Sequence, residues 1–86
     1  MREIKLSNKA TQDILKWSNT DLKILKRIFQ ILDNTANTPF EGIGKPEPLK
    51  SKLKGFWSRR ISEEHRIVYK VTNDEIIVAS LYGHYE

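Results

Sequence analysis

Cysteine is absent from the 86 residues, and histidine occurs only twice. Without thiols the chain has none of the disulfide staples that small exported domains often carry, so a cytoplasmic location is expected. The same shortage nearly excludes a zinc site. The carboxylates announce no magnesium site and no cofactor is expected, which leaves any catalysis to side chains alone. Proline (three) and glycine (four) are scarce, unlike the composition of a disordered tail. The longest apolar run is Ile76-Ile77-Val78-Ala79, far short of the roughly 20 residues of a membrane span. No charged region followed by an apolar stretch opens the chain, so no secretory leader is expected. This length suits one small domain, residues 1–86, with a thin core. A folded partner covering apolar surface would add to its stability.

Negative charge is also in deficit. Eleven Asp and Glu face fifteen Lys and Arg, for a net charge of +4 and a pI near 9.5. The excess is concentrated between Gly42 and Arg60, where Lys45, Lys50, Lys52, Lys54, Arg59 and Arg60 surround a single acid, Glu47, and enclose Phe56 and Trp57. Cations interleaved with aromatics suit a polyanion whose phosphates are neutralised while its bases stack. The plain alternative is a solvated face above two core aromatics. Glu47 fits neither simply, because a phosphate backbone repels a carboxylate.

The apolar periodicity predicts the elements. Arg2–Leu6 alternates as a short strand. Ser7 or Asn8 can cap a helix to about Ser18, with Ala10, Ile14 and Trp17 on one stripe. Thr20 is the expected cap of a second helix whose stripe is Leu22, Leu25, Ile28, Phe29 and Leu32, widened by Ile24 and Ile31. Asn34 to Pro48 is turn-rich. Strands follow at Phe56–Ser62, Arg66–Thr72 and Glu75–Leu81, joined by hairpin turns at 62–65 and at Asn73-Asp74. The third of these is apolar enough to be central. The order β-α-α-β-β-β implies an α+β fold, a mainly antiparallel sheet with a two-helix hairpin packed on one face. The other face is left free for a site.

Within Lys45-Pro46-Glu47-Pro48-Leu49-Lys50, each proline pushes the residue before it toward extended geometry, so Glu47 is expected on a stiff rod. Arg59 and Arg60 must point to opposite faces, and only one can join Arg66 on the solvent side of the sheet. Guanidinium groups gathered there suit phosphate, with a Glu63 or Glu64 ion pair as the structural competitor for Arg66. His84-Tyr85 ends the last strand. Glu47 and His84 together supply a base and an acid among fixed cations. That set can cleave RNA: a base takes the ribose 2′-OH proton, the oxygen attacks phosphorus, and an acid protonates the departing 5′-oxygen.

Thr38-Pro39-Phe40-Glu41-Gly42, Gly44-Lys45-Pro46-Glu47-Pro48-Leu49-Lys50, Gly55-Phe56-Trp57-Ser58-Arg59-Arg60-Ile61 and Glu63-Glu64-His65-Arg66, with Val68-Tyr69 and His84-Tyr85, closely resemble the YoeB/Txe toxins of bacterial toxin–antitoxin modules. The resemblance implies a RelE-like microbial ribonuclease fold and a metal-independent endonuclease that cuts mRNA in the ribosomal A site. It implies a YefM/Axe-type antitoxin as partner, and a dimer on the ribosome. Carried over by position, Glu47 would be the general base and His84 the general acid. Arg66 would stabilise the transition state, Lys50 and Arg60 would contact phosphate, and Tyr85 would orient or stack substrate. Lys45, Lys52, Lys54 and Arg59 complete the expected phosphate-binding set. Two competing functions remain: a non-catalytic toxin of the same fold, such as a ParE-type gyrase poison, and a module that only binds RNA or an antitoxin.

Overall fold

The computed structural model describes residues 1–84. Strand β1 (Glu3–Leu6) leads into helix α1 (Asn8–Thr20). Ser7 is extended, and its hydroxyl accepts from the Ala10 amide at 3.0 Å, satisfying one of the donors a helix start leaves open. Helix α2 (Leu22–Asn37) follows after a single residue, Asp21. Asp21 has the extended backbone (φ −158°) that both ends α1 and caps α2, its carboxylate accepting from the Lys23 and Ile24 amides. The cap is therefore Asp21 and not Thr20. Thr20 stays helical and donates its hydroxyl back to the Lys16 carbonyl.

The helices bury Ala10 and Trp17 from α1 and Ile28, Ile31 and Leu32 from α2. Two residues of the expected α2 stripe stay outside, Leu22 at 69% exposed and Phe29 at 52%. Leu22 opens the helix, and packing against the core begins two residues later, with Ile24 and Leu25. Phe29 leans over the edge toward β1, where it lines an open apolar groove of about 610 Å³ with Met1, Ile4, Leu32 and Ala36. Among the described residues no helix is long and apolar enough to cross a membrane.

The sheet adds β2 (Glu47–Pro48), β3 (Phe56–Arg60), β4 (Arg66–Val71) and β5 (Glu75–Ser80), in the order β1-β5-β4-β3-β2. β1 runs parallel to β5 and the other pairs are antiparallel. β5 therefore lies inside the sheet, as its apolar run requires. Alternation along β4 sends Ile67 and Tyr69 into the core beneath the helices, with Ile76 and Val78 of β5 beside them. Arg66, Val68 and Lys70 face the other way. β3 ends at Arg60 because the Ile61 and Ser62 amides both turn to the His65 carbonyl, at 3.0 and 3.3 Å.

Candidate active site

Register decides what shares the face away from the helices. Glu47 lies opposite Ser58, Ser58 opposite Val68, and Val68 opposite Ser80, one row across four strands. Two residues along, Arg60 lies opposite Arg66, and on the other side Phe56 lies opposite Lys70. Residues opposed across a ladder, and those two apart along a strand, point the same way. Glu47, Arg60, Arg66 and Lys70 thus share one face. At its end a recess of about 270 Å³ is lined by residues including Lys9, Leu53, Val68, Tyr82 and His84. With strands about 4.8 Å apart, Glu47 stands roughly 10 Å from Val68 and the recess that His84 borders.

Glu47 reaches this face through β2, a strand that turn-rich composition concealed. Pro48 tolerates the edge position because no partner needs its missing N–H. The segment before β2 is organised by Arg59. This guanidinium is completely buried, and its donors go to the Tyr69 hydroxyl, the Asn34 side chain and the carbonyls of Thr38, Glu41 and Ile43. Gly42 (φ +123°) closes the turn around it, because a Cβ there would lie 2.1 Å from the Asn34 Oδ1 that Arg59 grips. The Arg60 amide then ties down the Gly44 carbonyl. Lys45, expected to be extended before Pro46, is instead left-handed at φ 52° as the chain leaves this tie and swings into β2.

Arg59 therefore leaves the phosphate-contacting set: all five of its N–H donors are engaged inside the protein. Its register partner is the buried Ile67, so it faces the helices and Arg60 faces solvent. Trp57 shares the Arg59 side and packs on Phe40 with ring centroids 5.1 Å apart. Of the two aromatics expected beside the cations, only Phe56 shares the Glu47 face. Lys45, Lys50, Lys52, Lys54 and Arg60 are exposed.

Arg66 is mostly buried, and its side-chain hydrogen bonds all leave from Nη1, to the carbonyls of Ser62, Glu63 and His65. The hairpin carbonyls hold the group in place and leave the rest of its fork without a protein acceptor among the described residues. The Glu63 or Glu64 ion pair does not form. The one ion pair among the described residues is Lys9–Asp13, at 2.8 Å. The Arg66 amide donates to the Gly83 carbonyl at 3.0 Å, which brings the segment bearing His84 alongside it. Tyr85, expected at the site, lies outside the described residues. Lys9 and Tyr82 had no signal in the sequence. Lys9 arrives because the first turn of α1 abuts the end of β5, where its ammonium donates to Ser80.

Comparison with known proteins decides the family. Residues 6–85 match the family model for the YoeB-like toxin of bacterial type II toxin–antitoxin system. The chain belongs to the YoeB toxin family. It is 54% identical over 79 residues to the toxin YoeB of Escherichia coli O6:H1 (strain CFT073), covering 92% of this chain and 94% of that one. Among solved structures, the YoeB/ParE toxin from Agrobacterium tumefaciens matches with a TM-score of 0.93 at 38% identity, over 96% of this chain and 99% of that one. The YoeB dimer from Staphylococcus aureus matches at 0.90 with 42% identity over 98% of each chain. The heterotetrameric YoeB–YefM complex from the same organism matches at 0.89 with 42% identity over 99% of each. As a YoeB-family member the chain is a toxin of a type II toxin–antitoxin system, and its two helices on a mixed sheet are the RelE-like α+β fold.

Proposed function

We propose that this toxin, one domain over residues 1–86, is a ribosome-dependent endoribonuclease that cuts mRNA in the A site. The observation that carries the reading is the common face of Glu47, Arg60, Arg66 and the His84 recess. Glu47 takes the proton from a ribose 2′-OH, and the freed oxygen attacks the adjacent phosphorus. The P–O5′ bond breaks as His84 protonates the leaving oxygen, giving a 2′,3′-cyclic phosphate and a 5′-hydroxyl. Arg66, oriented by hairpin carbonyls and with donors left over, stabilises charge growing on the phosphoryl oxygens, with Arg60 beside it. Lys45, Lys50, Lys52 and Lys54 neutralise flanking phosphates, and Tyr85 stacks on or orients a base. The donor set completes the reaction without a metal.

The toxin acts in the cytoplasm, and its antitoxin is of the YefM type, by analogy with the Staphylococcus aureus complex. It associates as a dimer, as that organism's YoeB does. The deciding experiment adds purified protein to ribosomes paused on a defined message, in EDTA-buffered and magnesium-matched reactions, and maps the new 3′ ends. Cyclic phosphate ends are expected. Glu47→Gln should slow cutting by about 10²–10⁴-fold, the range of general-base catalysis, with an unchanged melting temperature. An intact message during full growth arrest would transfer the protein to the non-catalytic toxins.

A further inference from the structure

His65 lies in the Glu-Glu-His-Arg motif, and its ring has no part in the proposed proton transfers. Its Nδ1 accepts from the Gly83 amide at 2.9 Å. A backbone N–H can only donate, so this nitrogen must carry a lone pair and the neutral ring must hold its proton on Nε2. The ring is fixed by packing. It meets Trp17 edge-on, with centroids 4.8 Å apart, and Tyr82 at 4.6 Å. The Gly83 carbonyl in turn accepts from the Arg66 amide. Gly83 is thus held through both of its backbone polar groups by consecutive residues of β4 and its hairpin. The ties before it come from α1: Asp13 accepts the Leu81 amide and the Trp17 indole donates to the Leu81 carbonyl, at 2.9 and 2.8 Å. His65 makes the last side-chain tie before His84. Gly83 itself sits at φ +90°, the turn that delivers His84 to the recess.

We propose that His65 is a positioning residue, a neutral imidazole whose bond to the Gly83 amide holds His84 at the recess. The role rests on reading His84 as the general acid.

Two substitutions separate the bond from the stack. His65→Phe keeps a ring against Trp17 and Tyr82 but offers no acceptor. His65→Asn loses the ring but places Oδ1 near the Nδ1 position. Hydrogen exchange of the Gly83 amide, read by NMR on the free protein, needs no substrate. Protection should fall by about tenfold or more in His65→Phe and persist in His65→Asn. On programmed ribosomes, His65→Phe should cut about 10–100-fold more slowly at saturation with little change in half-saturating concentration, and His65→Asn should recover most of that loss. Undiminished Gly83 protection in His65→Phe overturns the tie. Lost protection with undiminished cutting overturns the positioning role. A wild-type protein that cuts no message sinks the nuclease reading instead, and the exchange measurement then still decides the tie.

Discussion

Arg59→Lys tests whether this cation serves the fold or the substrate. The substitution preserves charge, so long-range attraction to a polyanion is unchanged. What changes is geometry: a guanidinium carries five donors in a planar fork, an ammonium three on one atom. In the structure all five go to separate buried or half-buried acceptors, the Tyr69 hydroxyl, Asn34 Oδ1 and three carbonyls. Lysine can reach at most three of them and leaves at least two oxygens without that donor. At about 1–1.5 kcal/mol for each lost bond, Arg59→Lys should destabilise the fold by about 2–3 kcal/mol. For a domain of this size that is a fall in melting temperature of roughly 10–20 °C. Arg60→Lys is the control. Its side chain is exposed, so stability should change by less than about 0.5 kcal/mol while cutting slows. Thermal unfolding by circular dichroism reads the first effect and the ribosome assay the second. If Arg59→Lys melts within about 3 °C of the wild type, a change of well under 1 kcal/mol, the structural assignment of this residue is wrong.

Two further outcomes follow from the same region. Gly42→Ala forces a Cβ to within 2.1 Å of Asn34 Oδ1 at a φ that side chains rarely adopt; it should cost about 1–3 kcal/mol. Combined with Arg59→Lys the losses should fall short of additive in urea titrations, since both disturb the Asn34–Arg59 bond, and strict additivity would refute the shared network. Burial raises the pKa of Tyr69, opposed by its hydrogen bond and charge interaction with Arg59. The folded chain therefore holds this proton more tightly than the unfolded chain does. The resulting stability is fully present below the unfolded value of about 10 and is lost as pH climbs from there toward the folded value. Tyr69→Phe should remove that limb from urea midpoints measured between about pH 8 and 11.5; an identical alkaline decline in both proteins would assign it elsewhere.

Which features could be read from the chain depended on how locally each was written. The helix stripes and the alternation of β4 repeat over several residues, so Ile28, Ile31, Leu32, Ile67 and Tyr69 announced their burial, and Arg66 its outward course. A two-residue strand has no period, and β2 was legible only as a stiff segment carrying Glu47. Alternation required Arg59 and Arg60 to part ways but could not say which went inward. That choice is made by pairing Arg59 with the buried Ile67 and by the polar loop between α2 and β2, whose side-chain and carbonyl oxygens receive the guanidinium. Leu22 and Phe29 obeyed the stripe but not the burial, because a helical period fixes a direction and not the distance to the sheet. The end of the chain was least legible. Leu81 is tied to α1 and Gly83 to the β3–β4 hairpin by bonds spanning 18 to 68 residues, and no window along the sequence contains both partners. The placement of His84 is therefore a tertiary property, built by Asp13, Trp17 and His65, although its identity is written in the last few residues.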